Sequence, residues 1–88
     1  MLEGKVDLVA AILESSINGS SKQSLQDKLD ITSNLLDEYL QMLLSKNLAR
    51  IWKDKDRKSE SIKTTDRGER FLELYDSIKT RYLTTKSG

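Results

Sequence analysis

The stretch ITSNLLDEYLQMLLSKNLARIWK, residues 31–53, contains a helix, a sharp exit turn and the start of a strand. Thr32 can cap a helix whose apolar side chains recur at three- and four-residue spacing: Leu36, Tyr39, Leu40, Leu43 and Leu44. Asn47 tolerates left-handed backbone geometry, so it marks the end of this helix. Residues 48–53 contain a short run of β-formers, and a strand is expected to follow the helix directly.

Two further helices are predicted upstream. The first should end at Asn18-Gly19. It is indicated by apolar residues that lie on one helical face, namely Val6, Val9, Ala10, Leu13 and Ile17. Ser20 followed by Gln23 is typical of a capping box that opens a second, shorter helix ending near Asp30. Its buried side carries two leucines one turn apart, Leu25 and Leu29.

Downstream, residues 48–53 and 60–64 contain short runs of β-formers and flank a charged connection of six residues, 54–59, which predicts a hairpin with a solvated tip. The helical period returns after it, with Thr65 or Asp66 as the cap of a fourth helix. Phe71 and Leu72 should complete the core, and the apolar stripe continues along this helix as Leu74, Tyr75, Ile78 and Tyr82. Residues 84–88 are expected to fray.

The composition restricts the chemistry. The chain has 88 residues, enough for a single domain over residues 1–83, and it contains no Cys, His or Pro. This excludes disulfides, thiolate or imidazole metal sites and Cys/His nucleophile–base pairs. No Gly-rich phosphate loop is present, and the adjacent carboxylates Asp37 and Glu38 diverge by ~100° on a helix. We therefore expect neither an enzyme nor a bound cofactor or metal.

The sequence also predicts where in the cell the protein is found. The longest apolar run, residues 8–13, is far shorter than the ~20 residues that a membrane helix needs. The first residues lack the pattern of a secretion signal. These observations predict a cytoplasmic protein without a membrane partner, associated with the nucleoid if it binds DNA.

The element order predicted here, helix-helix-helix-strand-strand-helix, is mainly α with a small β-hairpin (α+β). It is the order of a winged helix-turn-helix domain. Residues 31–43 followed by Lys46-Asn47-Leu48 resemble the recognition helix and exit turn of small archaeal winged-helix proteins, a family of predicted transcriptional regulators. Residues 65–72, TDRGERFL, are similar to the Thr-x-Lys/Arg-Gly-x-x-Phe/Leu-Leu signature after the wing. The resemblance covers about residues 5–83.

This resemblance implies a dimeric DNA-binding transcriptional regulator that pairs through its C-terminal helix, about residues 65–83. The chain departs from the family in two places. The family usually has Gly where Asn47 stands, and it usually offers Arg, Lys or Gln to DNA where this chain has Asp37 and Glu38.

The candidate DNA-reading surface is the recognition helix, about residues 33–46, whose exposed face would enter the major groove. Asn34 and Gln41 suit adenine, and a carboxylate can accept from a cytosine amino group. The candidates on this surface are Lys22, Ser33, Asn34, Asp37, Glu38 and Gln41. Alternatively, the two carboxylates are present only because the positive end of the helix dipole favours them, and they would repel phosphates.

The candidate phosphate-binding element is the wing, about residues 53–60, within the one segment of clear positive charge. Residues 50–63 hold six basic against three acidic residues. The wing cations would contact the phosphate backbone or the minor groove of double-stranded DNA. These cations are Lys53, Lys55, Arg57 and Lys58. Alternatively, the mixed charges only keep the hairpin solvated. Trp52 alternates with Ile51 and either contacts a partner or covers the sheet edge against a helix.

The stripe on the fourth helix exceeds what three short helices can cover. Two such helices packed antiparallel would form a homodimer through Leu74, Tyr75, Ile78 and Tyr82. Alternatively, the stripe folds back onto the first helix within a monomer. A second function also remains open, that of a winged-helix module that binds protein rather than DNA, because Asp37 and Glu38 suit a basic protein surface.

Overall fold

The computed structural model describes the backbone of residues 5–53 and 59–87 and the side chains of residues 5–53 and 59–79. Within these ranges the predicted element order and the mainly α class are confirmed. The elements are α1 (Lys5–Ser15), α2 (Lys22–Leu29), α3 (Ser33–Ser45), β1 (Ala49–Lys53), β2 (Glu60–Thr64) and α4 (Asp66–Ser87).

Helix α1 forms the centre of the core because most of its apolar residues are buried. Ile12 and Leu13 are fully buried, and Leu8, Val9 and Ala10 are nearly so. The prediction that Val6 belongs to this face is wrong, since its side chain is 57% exposed. Val6 lies in the first turn, about 10 Å along the axis from Leu13, at the end of the helix away from its most buried residues.

The start of α2 also differs from the prediction. Its N-cap is Ser21, whose Oγ accepts from the Ser24 backbone N–H at 3.1 Å, so the capping box at Ser20 and Gln23 is wrong. Ser20 instead forms an antiparallel bridge with Ile62 of β2, with backbone N···O distances of 2.9 and 2.7 Å. The bridge ties the α1–α2 connection to the hairpin.

Helix α3 begins and ends as predicted. The Thr32 hydroxyl accepts from the Leu35 N–H at 3.2 Å, and Asn47 adopts the left-handed conformation with φ 61°. Three leucines bury the inner face of α3, namely Leu36, Leu40 and Leu43. Because the Thr32 cap and Asn47 fix the ends of α3 and the three leucines bury its inner face, the opposite face of the helix is exposed to solvent.

The hairpin joins α4 through Thr65. The Thr65 hydroxyl donates to the Asn47 carbonyl at 2.7 Å and accepts from the Gly68 N–H at 3.1 Å, so Thr65, not Asp66, caps α4. At Gly68 the helix touches the backbone of the α3–β1 connection. A Cβ there would stand well inside contact distance of the Leu48 carbonyl oxygen and 2.5 Å from the Thr64 methyl group.

Helix α4 packs on the core with its N-terminal half. Leu72 is buried, and the Phe71 and Tyr75 rings stack with centroids 6.5 Å apart. The helix runs to Ser87, beyond residue 83, where the sequence predicts fraying.

A hydrogen bond from the Tyr75 phenol to the Asp7 carboxylate joins α4 to α1. This bond, some desolvation and the negative charge of Asp7 raise the pKa of Tyr75 above its usual 10.0, because all three disfavour the phenolate. The contact is therefore intact below pH 10.0 and is lost as the pH rises through the raised pKa.

We expect the tyrosinate absorbance difference between wild type and Tyr75→Phe to titrate above pH 10.0. Asp7→Asn is the matched control, because it removes the charge while keeping a hydrogen-bond acceptor. In that background the same difference should titrate closer to the usual value. A difference that titrates at or below the ordinary tyrosine pKa would show that the two side chains do not interact.

Among the described residues, no helix combines the length and the apolar character that crossing a membrane requires.

Candidate nucleic-acid interface

The outer face of α3 presents a row of polar side chains. Leu36, Leu40 and Leu43 are buried on the inner face, so the polar side chains on the opposite side of the helix are left in solvent. Of the predicted DNA-reading residues on α3, four are exposed: Asn34, Glu38 and Gln41 on this face, and Ser33 in the first turn. The amides of Asn34 and Gln41 are thus available to a partner, as base-edge recognition requires.

Lys22 and Asp37, both predicted DNA contacts, form an ion pair that links α2 to α3. Their side chains are 48% and 46% exposed, so the pair adds little stability. Its main effect is electrostatic, because Lys22 neutralises one of the two carboxylates near the start of α3. Glu38 has no basic partner within 4.0 Å in the part of the chain that the structure describes.

The wing is described only at its base. Lys53 lies at the end of β1 with its Nζ 3.8 Å from a Glu60 carboxylate oxygen, and both side chains are largely exposed. The other predicted wing cations, Lys55, Arg57 and Lys58, lie outside the described residues.

Residues 4–85 match the family model described as winged helix-turn-helix. The chain belongs to the winged helix-turn-helix family. Domains of this family generally bind DNA and are typically not enzymes. A search of curated proteins finds no significant match.

In this winged helix-turn-helix domain Trp52 is more exposed than buried. Trp52 is 59% exposed and Ile51 is 44% exposed, so the prediction that Trp52 covers the sheet edge against a helix is wrong. Only the first residue of β1, Ala49, is buried, and the strand then extends beyond the core. The Lys63 ammonium lies 5.6 Å from the centre of the Trp52 ring.

The predicted dimer residues divide into two groups. Tyr75 is partly buried against α1 and bonded to Asp7, as expected if this part of the stripe folds back within the protomer. Leu74 and Ile78 lie one turn apart and are 62% and 69% exposed. The Tyr82 side chain lies outside the described part.

The structure brings together four cations to which the sequence analysis gives no role: Arg50, Lys63, Arg67 and Arg70. They line a common cleft between the hairpin and α4. For Arg50, the sequence does carry a signal, because side chains alternate along a strand and Arg50 is therefore on the same face as Trp52. Their meeting with α4 depends on tertiary structure.

Proposed function

We propose that this winged helix-turn-helix chain is a DNA-binding transcriptional regulator. In this proposal α3 enters the major groove and the wing contacts the phosphate backbone. The observation that carries the proposal is the exposed polar face of α3, held outward by three buried leucines, in a chain whose family generally binds DNA.

The acidic residues of α3 are compatible with this role. Because Lys22 pairs with Asp37, the repulsion between this carboxylate and a phosphate is reduced. Glu38 is then the principal negative charge near the start of α3. A carboxylate in the major groove can accept a hydrogen bond from a cytosine amino group, so Glu38 does not prevent base contact.

The charge of Glu38 distinguishes DNA binding from the alternative, a protein-interaction module. We expect Glu38→Lys to raise affinity for a mixed-sequence duplex about three- to tenfold at ~0.1 M salt, because repulsion is removed and a cation is added. Glu73→Lys, the same change at an exposed position of α4, is the control and should have a smaller effect. The comparison is made by fluorescence anisotropy with a labelled duplex.

If Glu38→Lys leaves duplex affinity at the level of the Glu73→Lys control, α3 does not face DNA. Loss of a complex with a basic protein in the same variant would favour the protein-interaction module instead.

We also propose that the chain is a homodimer through α4. The helix has 22 residues and is about 33 Å long. It is therefore longer than the two shorter dimensions of the molecule, 26 and 20 Å. The exposed Leu74 and Ile78 lie one turn apart on this helix, where a second copy of α4 could pack antiparallel and bury both.

We expect Leu74→Glu/Ile78→Glu to convert a dimer into a monomer of 10.1 kDa, measured by sedimentation equilibrium. The buried carboxylates would lack partners in the dimer, which costs several kcal/mol. Asp76→Lys, which changes the charge at an exposed position on the opposite side of the same helix, should leave the dimer intact. A wild-type protein that sediments as a monomer at micromolar concentration would contradict this part of the proposal.

The resemblance to small archaeal regulators supports an archaeal origin and a cytoplasmic, nucleoid-associated location as further parts of the same proposal.

A further inference from the structure

A cleft of about 860 Å³ lies between the outer face of the hairpin and the first turns of α4. Side chains alternate along β1, so Arg50 and Trp52 lie on the face opposite the buried Ala49. The strand register places Lys63 directly across from Arg50. Arg67 and Arg70 line the opposite wall from α4.

The cleft carries more positive than negative charge. Its four cationic residues face two acidic ones, Asp66 and Glu69. Both acids lie in the first turn of α4, where the helix dipole favours negative charge, so the fold itself accounts for them. In the described ranges, none of the four cations has a carboxylate within 4.0 Å.

The fold gives no comparable reason for the two cations of the hairpin, Arg50 and Lys63. Like charges directly opposite each other in a hairpin are destabilising, and Arg50 and Lys63 occupy such a pair. Two more arginines across the cleft add to the repulsion. The repulsion among these cations is reduced when an anion binds between them.

Trp52 narrows the class of anion. Its ring lines the cleft and is 59% exposed, and the Lys63 ammonium lies over the ring, 5.6 Å from its centre. A basic groove with an exposed aromatic side chain is the combination that holds phosphates and stacked bases of a single strand. The cleft volume is within the range of small-ligand pockets, about 300–1,000 Å³, so it suits a few nucleotides. Bases of a duplex are paired inside it and unavailable for stacking.

We propose that this cleft binds a short run of single-stranded nucleic acid, with phosphates at Arg50, Arg67 and Arg70 and a base against Trp52. The exposed residues of α3, Ser33, Asn34 and Gln41, do not line the cleft. This site is therefore separate from the surface proposed for duplex DNA, and its occupation does not depend on duplex binding.

Trp52 is the single tryptophan of the chain, so its fluorescence reports directly on the cleft. The probes are oligothymidylate and oligouridylate of about ten nucleotides. We expect at least one to quench Trp52 saturably at ~0.1 M salt, and Arg67→Gln/Arg70→Gln to weaken binding about tenfold. Comparison of the two probes identifies the strand as DNA, RNA or either. Lys28→Gln/Lys46→Gln removes the same charge from exposed sites outside the cleft and should have a smaller effect.

Three results would overturn the cleft proposal: binding of neither oligonucleotide, equal weakening in the two double variants, or equal quenching by inorganic polyphosphate, which has no bases. Anisotropy of labelled oligonucleotide with Trp52→Ala provides a second test, because loss of stacking should weaken binding about tenfold. Failure of duplex binding with retained oligonucleotide binding would overturn only the transcriptional proposal. The reverse result would overturn only the cleft.

Discussion

Gly68→Ala is expected to lower the free energy of unfolding by about 3 kcal/mol. The new methyl group would meet the Leu48 carbonyl oxygen and the Thr64 side chain. The Leu48 oxygen already accepts a hydrogen bond from the Thr65 N–H at 3.0 Å, so moving it away weakens the junction between hairpin and α4. The close approach explains why glycine stands at this position of the TDRGERFL segment.

The sign of this effect is informative because helix propensity alone predicts the opposite. Replacing glycine by alanine within a helix normally stabilises it by about 1 kcal/mol. Urea denaturation should show the loss for Gly68→Ala, whereas Ser77→Ala at an exposed position of α4 should change stability by less than about 0.5 kcal/mol. A Gly68→Ala variant as stable as wild type would mean that α4 does not touch the Leu48 backbone.

Leu25→Ala should cost about as much as the glycine substitution. Leu25 is the single buried residue of α2, and its side chain is 0% exposed. Truncating a fully buried leucine typically costs 2–5 kcal/mol, and we expect about 3 kcal/mol here. For 88 residues the total stability is of the order of 4–13 kcal/mol, so this is a large fraction. Burial of Leu25 also fixes the position of α2, the helix that carries Lys22 to its partner Asp37.

Leu29→Ala is the matched comparison for Leu25→Ala, since Leu29 lies one turn later on the same helix and is only partly buried. It should cost less than half as much in the same denaturation experiment. Equal losses at the two positions would show that α2 packs through its whole length rather than through one residue.

The parts of the fold predictable from sequence are those determined by neighbouring residues. The bounds of α3 depend on the Thr32 cap and the left-handed Asn47, and both signals lie next to the helix that they delimit. The start of α2 was not predictable in the same way. The Ser20 backbone pairs with Ile62, far away in the chain, and the Ser20 hydroxyl donates to the Ser15 carbonyl, so Ser20 does not fill the capping role that its local sequence favours.

The same distinction between local signals and distant contacts applies to the candidate site. The exposed polar row of α3 follows from helical periodicity, because burying three leucines leaves Asn34 and Gln41 outside. The ion pair between Lys22 and Asp37 joins two helices and was not predicted. The basic cleft needs the hairpin register and the packing of α4 together, so the sequence showed an excess of positive charge in residues 50–63 but not its partners on α4.

The central claim, that this domain binds duplex DNA, is tested most directly by titrating a labelled mixed-sequence duplex with the wild-type protein at several salt concentrations. Fluorescence anisotropy should show binding that weakens steeply with salt, with a log–log slope of about −0.9 for each phosphate neutralised. The Glu38→Lys variant should bind more tightly across the series. Absence of salt-sensitive binding to this duplex and to a pool of genomic fragments, even at the lowest salt, would contradict the claim.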